Sequence, residues 1–333
     1  MHWRPGATWA TLRRRASLLA ATRSFFGDRG LLEVETPALV RHAVTDPHLQ
    51  NIRAEFGNGQ SLYLHTSPEF HMKRLLAAGG PDMWQLGKVF RDGEAGRRHE
   101  PEFTLLEWYR HGYTLQQMAR ETCDLLLALA KAAERAGAPA TISTPAPVWW
   151  TYADLFQSAL GFDPLVAGER ELQDRAGTLL GANAIAGLRA SLGDEPTLWL
   201  DLLMSHAVAG HLADTGIAVV TGYPAAQAAL ARRDTADPRL AERFEIFCRG
   251  VEVANGYREL TDAHEQEERF TTDRAFRARL GRSDVVPDPR LLEALRHGLP
   301  DCAGVAVGFD RVVMVLLGLA TLQEGITFPV LET

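Results

Sequence analysis

The sequence predicts an α+β fold, an antiparallel sheet flanked by helices. Short alternating segments are joined by hairpin-like turns, and helical periodicities stand between them. No regular strand–helix–strand rhythm with a glycine-rich dinucleotide fingerprint appears, which removes the doubly wound parallel sheet. With 333 residues the chain is long enough to bury a full enzyme core. Hydrophobic residues make up 46% and charged residues 23%, which excludes the disordered, collagen-like and membrane-bundle classes.

Thr11 is the expected cap of an opening helix in which Leu12, Leu19 and Phe26 recur at even spacing, with Gly30 as its stop. LLEVETPALV alternates as a strand until Pro37 removes a ladder donor. SLYLHTSPEF reads as a strand ending at Ser67, and His71 to Ala78 as a helix. MWQLGKVFRD and HEPEFTLLEWYRHGY read as two strands, and a helix follows from about Leu115 to Ala136. AGAPATISTPAPVWW is a connector. Residues 152–216 are mostly helical and carry no legible motif, so they read as a helical insertion in a single domain spanning 1–333. IAVVTGYP, a strand–turn–strand over 244–261, helices near 262–281 and 289–298, a strand at 303–307 and a helix from Arg311 complete the order.

The formal charge is 35 − 42 = −7, so the surface lacks the basic field that dominant nucleic-acid binding needs. Cys123, Cys248 and Cys302 lie far apart and form no C-x-x-C pair, which argues against a zinc knuckle or a disulfide framework and for the cytoplasm. The basic N-terminus is not followed by an apolar stretch of signal-peptide length, and the apolar run Val312 to Ala320 is too short to span a bilayer. No membrane association is expected.

Three segments carry chemistry. In RFEIFCRGVEVANGYRELTD, Asn255-Gly256 is the dipeptide of a two-residue type I′ turn, which would set Glu252 opposite Glu259. Opposed like charges either splay into solvent or hold a cation, Mg²⁺ or an ammonium group, and Glu245 on the preceding strand adds a third carboxylate. In VFRDGEAGRRHEPEFTLLEWYR, Arg91 ends one strand and Arg97, Arg98 and His99 fill the loop. This is either a solvated hairpin or a basic flap over a polyphosphate. On the return strand Glu107 and Tyr109 share a face, an acid and a phenol suited to a cationic substrate or to ordinary burial. In GVAVGFDRVVMVLLG, Gly304, Ala306 and Gly308 alternate along a strand and Arg311 opens the next helix, where it could stack on a base. No P-loop occurs.

In this order the segments resemble the three motifs of class II aminoacyl-tRNA synthetases: RSFFGDRGLLEVETPAL for the first, FRDGEAGRRHEPEFTLLEWY for the second, GVAVGFDRVVM for the third. TSPEFHMKRLL, EFTLLEWY and EVANGYRELTD resemble the lysine-specific branch. A lysyl-tRNA synthetase carries an OB-fold anticodon-binding domain before motif 1. Here motif 1 begins about twenty residues into the chain, and no such domain is expected. A core of this kind is similar to the elongation factor P lysine ligases, whose wording is also resembled by VTDPH, PAAQAALAR and PDCAGVAVGFDR.

The resemblance implies an ATP-dependent ligase that makes a lysyl or (R)-β-lysyl adenylate and passes it to a lysine of elongation factor P. Arg91, on the α-phosphate, and Arg311, stacked on adenine, would be its catalytic residues. With them Asp92, Glu94, Glu100, Glu252, Val253 and Gly308 would surround ATP, and Glu245 and Glu252 would hold Mg²⁺. Ser67, Glu69, Glu107, Tyr109, Asn255, Glu259 and Ala306 would line the amino-acid pocket, with the Ala306 methyl at its floor bearing on which lysine isomer fits. Gly93 stands where the family's motif 2 usually has glutamate, Glu94 follows it, and Glu100 replaces a common asparagine. Motif 1 implies a homodimer, and tRNA is not expected as a partner. The alternatives are a synthetase paralog acting on tRNA or another amine, and a non-catalytic lysine-sensing regulator.

Overall fold

Thr8, not Thr11, caps the opening helix. Its extended backbone lets Oγ1 accept the Thr11 N–H at 3.1 Å, and α1 (Trp9–Gly27) starts one turn earlier than the sequence suggests. The computed structural model describes residues 3–142, 146–181, 185, 187–189 and 192–330. It divides into two units, one built from residues up to Thr141 and from Gly256 onward, the other from Ile142–Asn255.

In the first unit α1 buries Leu18, Phe25 and Phe26. Phe26 stacks on Trp84 with ring centroids 4.9 Å apart and meets Trp108 edge-on at 5.1 Å. β1 (Leu32–Glu33) is short because the chain leaves its ladder ahead of Pro37. It then enters a small antiparallel sheet of β2 (Leu39–Val40), β3 (Arg53–Glu55) and β4 (Ser61–Leu64), in the order β2-β4-β3. α2 (Glu69–Ala77) follows.

β5 (Met83–Phe90) and β6 (Glu102–His111) form an antiparallel pair in register from Met83↔Tyr109 to Phe90↔Glu102. α3 (Leu115–Arg135) starts at a capping box between Thr114 and Gln117 and buries an apolar face that includes Leu125, Leu126 and Leu129. Its Glu121 accepts from Trp108 Nε1 and pairs with Arg110, so helix and sheet are tied by a buried charge as well as by packing.

The second unit explains the long helical stretch. β7 (Val148–Thr151) and β8 (Ile217–Pro224) are parallel neighbours, and two parallel strands need a crossover connection. α4 (Tyr152–Leu160), α5 (Glu169–Leu180) and α6 (Pro196–Leu203) supply it. Tyr152, Phe156, Trp199 and Leu203 share one core with Val220 and Phe247 of the strands, so the helices and strands fold as one unit. β9 (Leu240–Cys248) lies antiparallel to β8, pairing Glu245 with Val220.

The expected turn at Asn255-Gly256 is absent. β10 (Val251–Arg258) runs straight through that dipeptide, and the hairpin turns instead at Arg249 and Gly250, with φ of 51° and 73°. A Cβ at Gly250 would lie 2.6 Å from the Ala209 carbonyl oxygen, so close packing reserves that position for glycine. Glu252 and Glu259 therefore lie on one strand and its continuation, not opposite each other across a turn.

Gly256–Arg258 carries the chain back to the first unit. There α7 (Ala263–Arg279) and α8 (Pro289–Gly298) lead to β11 (Cys302–Gly308), which pairs antiparallel with β6, giving the order β1-β5-β6-β11. α9 (Phe309–Leu316) follows directly. The sheet strands are mostly antiparallel, as expected; the exceptions are β1 beside β5 and β7 beside β8, each parallel pair spanning a long connection. Among the described residues no helix is long and apolar enough to cross a membrane.

Candidate active site

β6 lies between β5 and β11, so its side chains have neighbours on both sides. Glu107 stands opposite Gln85 of β5 and Ala306 of β11, and Tyr109 opposite Gly304. Directly opposed residues share a face, which gathers Glu107, Tyr109, Gln85, Gly304 and Ala306 on one side of the sheet. The sequence placed Glu107 and Tyr109 together; register adds Gln85, whose buried Oε1 has no hydrogen-bond partner.

Gly304 is a close-approach glycine. A Cβ there would lie 2.4 Å from Tyr109 Cε1 and 2.5 Å from Glu259 Oε1. The bare strand is what lets ring and carboxylate lie against it. Tyr109 Oη donates to Glu107 Oε1 at 2.7 Å, while Glu107 Oε2 is buried with no hydrogen-bond partner. Glu69 opens α2, where its N–H donates to Ser67 Oγ at 3.4 Å.

Between Glu69 and Glu259 stands Lys73, which the sequence reading did not single out. Its Nζ lies 2.7 Å from Glu69 Oε1 and 2.6 Å from Glu259 Oε2, and its side chain is 2% exposed. The only signal in the sequence was the i, i+4 spacing of Glu69 and Lys73.

Burial governs the electrostatics. Burial first, then Glu69 and Glu259, push the Glu107 carboxyl well above its ordinary value. Burial pushes Glu259 up to about 7, against the pull of Lys73. The Tyr109 phenol is raised by burial and by Glu107, so it stays a donor. For Lys73 burial favours the neutral amine, but Glu259 and then Glu69 outweigh it and hold the ammonium charged. Three carboxyls thus face one cation, and an incoming ammonium group is the complement of the open Glu107 oxygen.

The second cluster of this unit joins the loop after β5 to the start of α9. The Arg91 guanidinium lies over the Phe103 ring at 5.0 Å and places Nη1 3.3 Å from Glu94 Oε1; its Nε is buried with no hydrogen-bond partner. Asp92 is held by Gln50, whose carbonyl accepts its N–H at 2.8 Å and whose Nε2 donates to Oδ2 at 3.1 Å. Gly93 has φ of 77°, a conformation that disfavours a side chain there, and Glu94 faces Arg91. Arg311 donates from Nε to the Arg98 carbonyl at 3.2 Å and sets Nη2 2.7 Å from His99 Nε2, so it is near the basic loop. Gly308 is the N-cap of α9. Asp310 is buried between Arg15 Nη1 at 2.5 Å and the Thr104 N–H at 2.7 Å, which ties α1 to α9 and β6.

Glu100 has partners of its own. Its carboxylate is buried, accepting from Gln323 Nε2 at 2.7 Å and from the Val330 N–H at 3.2 Å, so it ties the C-terminal segment to the loop that carries Arg97, Arg98 and His99.

In the second unit Glu245 accepts from Tyr223 Oη at 2.6 Å and pairs with Arg243. Burial, and next the charge of Glu252, push it up to about 7. That mutual repulsion is what a divalent cation would relieve, so the pair fits Mg²⁺. Among the described residues no cluster of three or more His, Cys, Asp or Glu side chains could hold a metal ion by itself. Any metal here would take further ligands from phosphates, as Mg²⁺ commonly does. Val253 is buried and Asn255 half-buried on β10.

An antiparallel sheet with an arginine-bearing loop after β5 and an arginine opening the helix after a glycine-alternating strand is the frame of a class II synthetase core. The chain belongs to that family: the description tRNA synthetases class II (D, K and N) matches residues 1–332. Within it the chain is 43% identical to the elongation factor P--(R)-beta-lysine ligase of Yersinia enterocolitica, over 98% of this chain and 97% of that protein. It is 42% identical to the protein of the same name from Photorhabdus laumondii, over 99% and 98%, and to that from Yersinia pestis, over 98% and 97%.

Proposed function

We propose that this protein is an ATP-dependent, AMP-forming ligase that activates lysine or (R)-β-lysine and transfers it to the ε-amino group of a lysine on elongation factor P. The observation that carries the reading is the buried acceptor Glu107 Oε2, set beside Tyr109, Glu69 and Glu259 at the floor of a glycine-bare strand. The names of relatives more than 40% identical along nearly the whole chain support the acceptor.

In the first step a carboxylate oxygen of the amino acid attacks the α-phosphorus, and pyrophosphate leaves with the P–O electron pair. In the second, the neutral acceptor nitrogen attacks the adenylate carbonyl carbon, AMP leaves with the C–O pair, and the nitrogen gives up one proton to solvent. No protein nucleophile is consumed, so catalysis rests on positioning and on charge. We assign Arg91, whose buried Nε has no hydrogen-bond partner, to the α-phosphate and Arg311 to the adenine; Asp92 and Glu94 support the loop that carries Arg91. Glu245 and Glu252 would hold Mg²⁺, which neutralises phosphate charge when bound. By the resemblance, Glu107, Tyr109 and Glu259 would surround the distal ammonium and Glu69 would take the amino group near the carboxyl end, with Ser67 and Asn255 as further substrate contacts; Ala306 lies opposite Glu107. The resemblance also gives Val253 and Gly308 to the nucleotide.

Three buried free thiols suit the cytoplasm. The synthetase resemblance supports a homodimer through the α1–β1 segment.

The test is lysine-dependent ATP–pyrophosphate exchange with L-lysine and (R)-β-lysine, followed by addition of purified elongation factor P and measurement of its mass. Exchange with a mass gain on the factor is expected. Exchange with transfer to tRNA instead would move the assignment to a synthetase paralog, and absence of exchange with both isomers would overturn the ligase.

A further inference from the structure

We propose that Lys73 is a positioning residue of the amino-acid pocket: clamped between Glu69 and Glu259, it fixes both carboxyls in place beside Glu107, so that the pocket takes only amino acids bearing two ammonium groups. The inference rests on the reading above that the pocket binds a lysine-type substrate. Nothing about the sequence motif requires this role; it comes from the geometry.

Lys73 Nζ reaches both partners within 2.7 Å from a side chain only 2% exposed, and Glu259 itself is 1% exposed. A lysine so buried persists only when paired, and here two carboxylates pair it. The charged and titratable groups facing the cluster are Glu69 on its own helix, Glu107 and Tyr109 on β6, Glu259 beyond β10 and Cys302 on β11. With every carboxyl ionised, Glu69, Glu107 and Glu259 bring three negative charges and Lys73 one positive, leaving two. Two ammonium groups on one substrate match that remainder; a single ammonium leaves a buried carboxylate without a counter-charge. Lys73 touches two of the pocket carboxylates while Glu107 Oε2 stays open, so its effect on the substrate passes through Glu69 and Glu259.

The test uses the full chain with Lys73→Met and Lys73→Arg, checked by thermal melting, and follows exchange against amino acid and ATP across pH. For Lys73→Met the KM for lysine should rise about tenfold or more while the KM for ATP changes less than about twofold. The acid limb of kcat/KM for lysine should move up by about one pH unit, because Glu259 protonates more readily without its partner. Lys73→Arg keeps the charge and should keep the wild-type limb. A folded Lys73→Met with the wild-type lysine KM and limb, or with equal losses for both substrates, overturns the proposal.

A measurement on the unaltered protein covers the case in which the variants do not fold. Lysine is present only at Lys73, Lys88 and Lys131, so ¹³C-lysine labelling gives three ε signals. The Lys73 signal should remain that of an ammonium at a pH where free lysine has titrated; titration at or below that of free lysine overturns the role. Failure of the wild type to exchange with either isomer would instead sink the ligase reading, and the labelling experiment would still judge Lys73.

Discussion

Tyr109 Oη donates to Glu107 Oε1 at 2.7 Å and leaves Oε2 of the same carboxyl buried and open. The phenol fixes the rotation of the carboxyl, so the free oxygen has a defined direction before substrate arrives. Glu107→Gln keeps the shape and removes the charge. We expect kcat/KM for lysine to fall about 100-fold or more, with the KM for ATP within about threefold, measured by pyrophosphate exchange. Equal losses for the two substrates would show that Glu107 serves the fold and not the amino acid.

The pH dependence has a definite sign. Glu259 is raised from 4.5 to about 7 and Glu107 is raised as well, so the folded protein holds these protons more tightly than the unfolded chain. The Glu259 contribution to stability is full below the unfolded value and is lost as pH rises through about 7, and Glu107 adds a contribution of the same sign. An ammonium ligand offsets that loss only once the carboxyls ionise. The melting-temperature gain on adding lysine should therefore be larger at about pH 8 than at about pH 5.5. A gain that is equal or larger at the acid end contradicts the assignment.

Gly304→Ala sets a methyl into the space of Tyr109 and Glu259, 2.4 and 2.5 Å from their nearest atoms. One or both must swing away. Overpacking of this kind costs about 1–3 kcal/mol, so the melting temperature should fall and the KM for lysine should rise. An unaltered KM in a well-folded variant would mean that the Tyr109 ring position does not matter for binding.

Arg91→Ala removes a side chain that is 24% exposed and has one buried donor without a partner. The fold should be retained, with a melting temperature within a few degrees of wild type, while adenylate formation falls at least about a thousandfold. Retention of exchange in this variant would refute the phosphate role.

Glu100→Ala separates an anchoring role of Glu100 from a nucleotide contact. Two buried hydrogen bonds to Gln323 and Val330 are lost, at a cost of about 1–3 kcal/mol, and the C-terminal segment should become more sensitive to protease. A rise in the KM for ATP as large as that in Arg91→Ala would return Glu100 to the nucleotide.

Much of the frame was legible from local pattern. The alternation of EFTLLEWY placed Glu107 and Tyr109 on one face, and β6 bears this out. Other features were legible only in part. Asn255-Gly256 has the stronger hairpin preference as a dipeptide, yet the chain turns at Arg249 and Gly250, where the Ala209 carbonyl, about forty residues away in the chain, leaves no room for a side chain on Gly250. Glu100 looked like a loop residue near the nucleotide, and its partners Gln323 and Val330 lie more than two hundred residues further on. No local window holds such a contact.

The sequence by itself determined the helical and strand periodicities, the ordered motifs and, through them, the family, because these depend on residues near one another in the chain. Tertiary structure alone decided that Lys73 bridges Glu69 and Glu259, that Gln85 stands opposite Glu107, and that the Gly304 strand leaves room for Tyr109. Strand register and burial set these relations, and both come from packing between segments distant in the chain. Burial also raises the carboxyls that await a cation, since the cost of a charge depends on what surrounds it and not on its neighbours in sequence.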